Sequence, residues 1–520
     1  MNEGSDFLQV MDQIDTNLIR FAGGTISEEH FDITDPDATR VTNVMHLIHP
    51  ELIPERTNGV PITRTVTPLS DYLNYVNEIE GDPVIVLPTY RFFDQETRGI
   101  TSNAEADIRE FVRDVLADEY GDVDKLTIEI GNEYYQDFRF NWTLTEFGSL
   151  QAQIAEWIDD EVSSLGLRED LTLLAQAARN FNDNISLASH FPPASQATVD
   201  GVILHFYGTS SIGDPLRMGA NIPRELSETT QAWTSRLGED FDIAVTEWNV
   251  GESGEDTTIV NGIMRSAPLL HMFAEMVRGG VDMSMLWAAR TDGPSGLSLR
   301  SESGSELTPT GYFYKMLTES TNGKRLVDPG ATGHKLLDQS GQHVGYTYTF
   351  ENDGRSVTYF ASGVNEAIQL SADLTAQMQS GAYTYTRTLD VVEGDQINGY
   401  YSDAAITYDA EINLEVRGGQ QVFQIELGAY ELVELHVVHG QGVVKEGDTE
   451  NNIADNLVGS DFDDKLAGSL GWDKLDGLGG NDLLDGGNGK DILRGKSGDD
   501  ILFGDNGKDH LMGGAGNDEL

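Results

Sequence analysis

The chain has 520 residues, 87 acidic against 33 basic side chains, no cysteine, 56 glycines and a formal net charge of -54. This balance excludes a nucleic-acid binder, which needs a basic footprint, and the missing thiols exclude disulfide scaffolds, thiolate catalysis and cysteine-ligated metal centres. No apolar run reaches the roughly 18 residues of a membrane span, and the first thirty residues lack the basic start and apolar core of an ordinary signal peptide. With 39% hydrophobic residues the chain can bury a real core, and its length suggests several domains. Such acidity suits either a solvated exterior for high salt or a protein that meets divalent cations.

Residues 1–320 alternate short apolar strands with longer amphipathic segments. The strands are NLIRFAG (17–23), PVIVLP (83–88), KLTIEIGN (125–132), LTLLAQ (171–176), GVILHFY (201–207), DIAVTEW (242–248) and DMSMLWA (282–288). Helical patterns lie between them, as in AEADIREFVRDVLADEY (104–120) and EFGSLQAQIAEWIDDEV (146–162). This alternation predicts a (β/α)8 TIM-type barrel. Seven strands are visible, after a helix-like segment at 5–14. The first barrel strand is therefore expected to be missing, since an eighth would have to precede Met1.

In such a barrel the chemistry sits at the C-terminal strand ends. One strand here ends in Gly131-Asn132-Glu133 and another in Thr246-Glu247-Trp248-Asn249. Two carboxylates capping apolar strands would converge across one mouth, as a glycosidase requires. Glu129, four residues before Glu133, falls on the same strand face; it either lines the lower barrel or is a paired core charge. Asn132 should point away from Glu133 if the strand stays regular to its end, whereas a bulge would free it.

Residues 321–442 read as a β-sandwich. GYTYTF (345–350), SVTYFAS (356–362), AYTYTRTL (382–389) and YELVELHVV (430–438) are rich in β-branched and aromatic residues and are separated by turn signals. Nothing in them points to catalysis, so an accessory module is expected.

From residue 459 the sequence repeats every nine residues. Glycine opens each unit, Asp takes the sixth place (Asp464, Asp473, Asp482, Asp491, Asp500, Asp509 and Asp518) and Leu the eighth. Glycine allows the tight turns, Leu packs inward and Asp faces the neighbouring turn. The segment 450–520 resembles the RTX, or hemolysin-type, calcium-binding repeat, a parallel β-roll. The resemblance implies two units per coil, with structural Ca2+ held by these seven Asp and shared between residues two repeats apart, such as Asp473 and Asp491.

GNE, HFY and TEWN, at strand ends in this order, resemble the clan A retaining glycoside hydrolases, and within them the arabinofuranosidase, glucuronidase and xylosidase-like families. The resemblance spans about residues 17–290. It implies that Glu133 is the acid/base, Glu247 the nucleophile and Asn132 the contact to the sugar 2-hydroxyl. IRFAGG (19–24) makes Arg20 a support for the nucleophile. His205 and Tyr207 would line the site and Trp287 would be a sugar platform, while Trp248 reads better as packing. No cofactor is implied for catalysis.

A further expectation comes from charge. Up to residue 314 the chain holds one Lys, Lys125, and eighteen Arg, five of them in or just after strand ends: Arg20, Arg91, Arg139, Arg179 and Arg290. Guanidinium groups at the mouth of so acidic a protein suggest an anionic sugar, with Arg139 and Arg290 as substrate contacts. The other reading is that these Arg pair with the abundant acids or hold the catalytic Glu ionised.

The expected protein is a secreted, calcium-stabilised retaining glycoside hydrolase acting on a polysaccharide or oligosaccharide, with no nucleic acid and no membrane span among its partners. RTX repeats imply type I secretion. The export signal of such cargo normally lies beyond the repeats, which here run to Leu520. Two alternatives remain: a calcium-dependent adhesin or carbohydrate-binding protein on a degenerate barrel, and a polysaccharide lyase using Tyr207 and His205.

Overall fold

The structure, a computed structural model, describes residues 18–520 except 22, 24, 45, 47–56, 134–141, 209–213, 251–261, 287–295, 302–303 and several short stretches between 329 and 452. Two compact units are present, residues 1–318 and 319–520. The helix-like segment 5–14 lies outside the described residues.

In the first unit seven parallel strands follow one another in sequence order around a single sheet. They are β1 (Leu18–Phe21), β2 (Asp82–Leu87), β3 (Leu126–Ile130), β4 (Leu171–Gln176), β5 (Gly201–Gly208), β6 (Asp242–Val250) and β7 (Met283–Leu286). The two edges, β1 and β7, approach each other, so the sheet is a nearly closed barrel. Each expected strand forms, with LTLLAQ matched end to end. Strands buried on both faces need continuous apolar runs, and Val84–Leu87 and Leu173–Ala175 are buried throughout.

The connections are helices: α1 (Thr25–His30), α2 (Leu69–Glu78), α3 (Ala104–Leu116), α4 (Leu144–Leu165), α5 (Phe181–Ala188), α6 (Ile222–Leu237) and α7 (Ser266–Arg278). In α3 the buried residues Ala104, Ile108, Phe111, Val112 and Val115 fall at helical spacing. Deleting the Phe111 ring would cost about 3–5 kcal/mol. A capping box opens α4: Thr143 Oγ1 accepts from the Glu146 amide and Glu146 accepts from the Thr143 amide, an arrangement worth about 1 kcal/mol.

The second unit contains a β-sandwich. Its larger sheet includes β8 (His343–Glu351), β9 (Arg355–Ser362), β11 (Tyr383–Val391), β12 (Ala404–Asp409) and β14 (Leu432–Val438). The smaller sheet includes β10 (Ile368–Asp373) and β13 (Gln420–Leu427). Val344, Phe360, Phe423, Ile425 and Leu435 form the core between them. Buried in this sandwich is an ion pair without precedent in the sequence pattern, Arg387 to Glu434 at 2.8 Å, with His436 3.1 Å from the same carboxylate.

The repeats form a parallel β-roll of 18 residues per coil: Leu475 pairs with Leu493 and Leu493 with Leu511, while Leu466 pairs with Leu484 and Leu484 with Leu502. These leucines meet in one column of core.

Candidate active site and calcium sites

The barrel brings Glu133 and Glu247 together, and local backbone irregularity makes this possible. After β3 the chain enters a left-handed turn, with φ +81° at Gly131 and +44° at Glu133. A side chain at 131 would have its Cβ 3.0 Å from Thr89, so the turn requires glycine on both counts. The strand is thus not regular to its end, and Asn132 and Glu133 both reach barrel partners. On β6 the register against β5 shifts between Val245 and Glu247. This bulge lets consecutive residues face inward: Thr246 Oγ1 donates to Glu129 Oε2 at 3.2 Å while Glu247 meets Arg20 and Tyr207.

Arg20 on β1 is the hub. Its Nε donates to Glu129 Oε2 at 2.8 Å, Nη1 to Glu247 Oε1 at 2.5 Å and Nη2 to Asn132 Oδ1 at 2.9 Å. The Tyr207 hydroxyl donates to Glu247 Oε2 at 2.6 Å. His205 Nδ1 lies between the two carboxylates, 3.2 Å from Glu133 Oε1 and 3.6 Å from Glu247 Oε2. Burial works to raise the Glu247 pKa, but the His205 and Arg20 charges and the hydrogen bonds from Tyr207 and Arg20 outweigh it and hold the carboxyl below its ordinary range. Burial, then the Glu247 charge, pushes the Tyr207 hydroxyl far up, so it stays a donor.

Ligand atoms of Glu133, His205 and Glu247 lie within 4.8 Å of one another. A divalent ion could be held there only in competition with Arg20 and Tyr207, which already use both Glu247 oxygens. The arrangement is better suited to two carboxylates acting on one bond.

Two further carboxylates surround the site, one weighed from the sequence and one missed by it. Glu129 is fully buried and is the paired core charge, bound to Arg20 and Thr246. Glu28, on α1, accepts from the amides of Thr89 (2.7 Å), Tyr90 (2.9 Å) and Asn132 (2.9 Å) and from the Thr89 hydroxyl (2.9 Å). It ties the loop after β2 to the turn that presents Glu133. Burial pushes its pKa up to about 7, against those four hydrogen bonds. An acid two residues before a helix end carries no signal of such a role, because its partners lie 61 to 104 residues away.

Trp248 is fully buried and stacks on Phe273 with ring centroids 6.2 Å apart, so it is packing. Arg91 pairs with Asp32 at 2.7 Å, and Arg179 is exposed beyond β4. Arg20 and Arg91 are thus engaged by acids, as the second reading of the arginines had it. Arg139, Trp287 and Arg290 lie outside the described residues.

In the β-roll each repeat Asp amide donates to the Asp Oδ1 one coil later: Asp464 to Asp482 (2.9 Å), Asp473 to Asp491 (2.7 Å), Asp482 to Asp500 (2.8 Å), Asp491 to Asp509 (2.9 Å) and Asp500 to Asp518 (3.1 Å). The second oxygens of Asp473, Asp482, Asp491 and Asp500 are buried without any protein partner. They lie against glycines so closely that a Cβ at Gly477 or Gly495 would fall 2.0 Å from the carboxylate of Asp482 or Asp500. Burial pushes Asp482 up to about 8 and Asp500 to about 6. Orphaned carboxylate oxygens beside glycine carbonyls form the all-oxygen donor set that calcium takes, so the residues fit the ion.

Residues 451–484 and 485–520 match the family model described as RTX calcium-binding nonapeptide repeat (4 copies). Among curated proteins none matches the chain. Among solved structures, an α-L-arabinofuranosidase from Thermotoga maritima superimposes with a TM-score of 0.58 at 13% identity, covering 84% of this chain and 92% of that one. A family 51 α-L-arabinofuranosidase from Bifidobacterium longum gives 0.57 at 12% identity, with coverages of 83% and 89%. The GH39 enzyme from Xanthomonas axonopodis pv. citri gives 0.50 at 13% identity, with 83% and 90%. The chain therefore joins a barrel of the fold found in clan A glycoside hydrolases to C-terminal RTX calcium-binding repeats.

Proposed function

We propose that the protein is a retaining glycoside hydrolase that cleaves O-glycosidic bonds of a polysaccharide or oligosaccharide. The observation that carries this reading is the close approach of the two carboxylates, one oxygen of each lying within 4.8 Å of the other. Retaining enzymes hold the pair about 5–5.5 Å apart, whereas inverting ones leave about 6.5–9.5 Å for a water.

Glu247, ionised by Arg20, His205 and Tyr207, attacks the anomeric carbon as Glu133 gives its proton to the departing glycosidic oxygen. A covalent glycosyl ester on Glu247 results. Glu133, now a carboxylate, takes a proton from a water that displaces Glu247 and restores both groups. Asn132 spends its Oδ1 on Arg20, so its amide nitrogen is the group that donates to a sugar hydroxyl. Arg139, Arg290 and Trp287 complete the proposed substrate contacts.

In the β-roll, Asp464, Asp473, Asp482, Asp491, Asp500, Asp509 and Asp518 hold calcium. The ion compensates buried carboxylate charge, and its binding free energy becomes folding free energy of the roll. Calcium-dependent folding supports an extracellular destination, reached by type I secretion.

The test uses Glu133→Gln and Glu247→Gln on aryl arabinosides, xylosides and glucuronides, with the anomer of the first product read by NMR. Loss of turnover in both variants and retention of configuration are expected. Full activity in either variant, or an unsaturated product absorbing in the ultraviolet, would overturn the reading, the latter in favour of a lyase.

A further inference from the structure

The two broad faces of the β-roll differ in chemistry. One presents Leu483, Ile501 and Phe503, which pack on Tyr383, Tyr385 and Val438 of the sandwich. The other sheet, with strands Lys474–Gly479, Ile492–Ser497 and His510–Ala515, and the turns that lead into it carry five of the six Lys and Arg in residues 453–520: Lys474, Lys490, Arg494, Lys496 and Lys508. The sixth, Lys465, belongs to the column of Leu483 and Ile501. In a chain of net charge -54 this is a local concentration of cations.

The coil geometry sorts these side chains into columns. Trp472, Lys490 and Lys508 follow one another at 18-residue intervals, one per coil, directly after the paired segments Leu470–Gly471, Asn488–Gly489 and Asn506–Gly507. Beside them run the columns Lys474, Ile492, His510 and Asp476, Arg494, Met512. Leu475, Leu493 and Leu511 point into the core, so these alternate residues point out.

Trp472 is 70% exposed, the largest exposure of any aromatic ring among the described residues, and the Lys490 ammonium stands 6.0 Å from its centroid. Asp476 is paired with Lys496 at 2.7 Å, and the other acid exposed beside these cations is Asp505. Lys474, Arg494 and Lys508 make no ion pair among the described residues. Asn506 donates to Asn488 at 3.1 Å, the start of an exposed amide ladder alongside.

We propose that this face is a binding surface for an anionic polysaccharide, sulfated or uronate, lying along the roll axis. Successive coils are spaced by about 4.8 Å, close to the advance of one sugar along an extended glycan, so a cation in each coil meets a charge on each sugar. The exposed indole offers an apolar plane for a pyranose face. The Asn ladder offers donors and acceptors to hydroxyls, and Arg494 can take a sulfate or carboxylate with two parallel N–H groups. A lipid surface would call for an apolar ridge, and this face carries a single large ring. The acidic remainder of the molecule is screened beyond about 8 Å at physiological salt. Calcium in the roll would offset the Asp carboxylates beneath the cations.

The experiment is affinity electrophoresis of the full chain in calcium, in the Glu247→Gln background so that turnover cannot interfere. Gels contain dextran sulfate, oligogalacturonate or neutral dextran. Both polyanions, or one of them, should retard the protein, the preferred one identifying the anionic group, while neutral dextran should not. Trp472→Ala and the double variant Lys490→Ala/Lys508→Ala should each weaken the retardation at least fivefold. Lys125→Ala/Arg217→Ala, which removes the same charge from the barrel, should leave it unchanged. All variants should keep the calcium-induced rise in thermal midpoint, because the altered side chains are exposed. Absence of retardation by either polyanion, retardation undiminished in the roll variants or equally weakened in the barrel variant, or capture only by anionic lipid vesicles would overturn the proposal.

Discussion

The barrel and the β-roll both bury several carboxylates, and they treat them in opposite ways. In the barrel every oxygen of Glu247 has a partner supplied by the chain, from Arg20 on one side and Tyr207 on the other. In the roll the second oxygens of Asp473, Asp482, Asp491 and Asp500 have none. Charged partners, Arg20 and His205, hold the buried Glu247 carboxyl down and ionised; in the roll burial without such a cation raises Asp482 and Asp500 and leaves a demand that a cation can meet. The contrast explains how one acidic composition can serve a reaction and a metal in the same chain.

The largest expected effect breaks the barrel side of this contrast. Glu247→Gln or Glu133→Gln should lower kcat on the order of 10²–10⁴-fold or more, measured with an activated aryl glycoside, while leaving the calcium response of the roll intact. Chelation breaks the other side. Removing calcium should abolish the near-ultraviolet and circular-dichroism signature of the ordered roll, and its return on adding calcium should be cooperative. Asp482→Asn and Asp500→Asn should each move the midpoint of that titration to higher calcium.

Glu28→Gln sharpens the comparison, because Glu28 is a buried acid satisfied by backbone amides. An amide there turns a donor toward N–H groups, so the Glu133 turn should loosen and kcat fall about 10-fold or more, by analogy with lost orienting contacts. KM should change less. The smallest effect concerns pH. Tyr207 stabilises the ionised form of Glu247, so Tyr207→Phe should raise that pKa and move the acid limb of kcat/KM upward, on the order of one pH unit. Glu247 contributes stability above the ordinary carboxyl pKa that is lost as pH falls through its depressed folded value, and the variant should lose it at a higher pH. An unmoved limb would remove Tyr207 from the control of the proposed nucleophile.

What the sequence showed depended on whether the signal was local. Nine-residue glycine–Asp–Leu periodicity is local, and so is an apolar run closing in GNE or TEWN; both are legible by inspection. β10 and β12 of the sandwich were missed because their outward residues are polar and their inward ones few. The role of Glu28 was invisible, and that of Glu129 was left between two readings, because each is fixed by groups from other strands or loops, gathered only when the sheet closes. The bulge at Thr246–Glu247 was equally hidden: nothing in the letters says that two adjacent side chains will face the same way. The mouth arginines stayed between two readings for the same reason, since the acidic partners of Arg20 and Arg91 lie far along the chain.

The Asp ladder of the roll also carries a direction in time. Each amide from Asp464 to Asp500 is answered by a carboxylate 18 residues further along. A chain delivered N-terminus first therefore presents every coil before the residue that completes it has arrived. Coils coupled only to their neighbours behave as a one-dimensional stack, and here the coupling runs both ways, because the amides of Leu483, Ile492 and Ile501 donate back to the carbonyls of Asp464, Asp473 and Asp482 one coil earlier. Each coil is both a template for the next and incomplete without it.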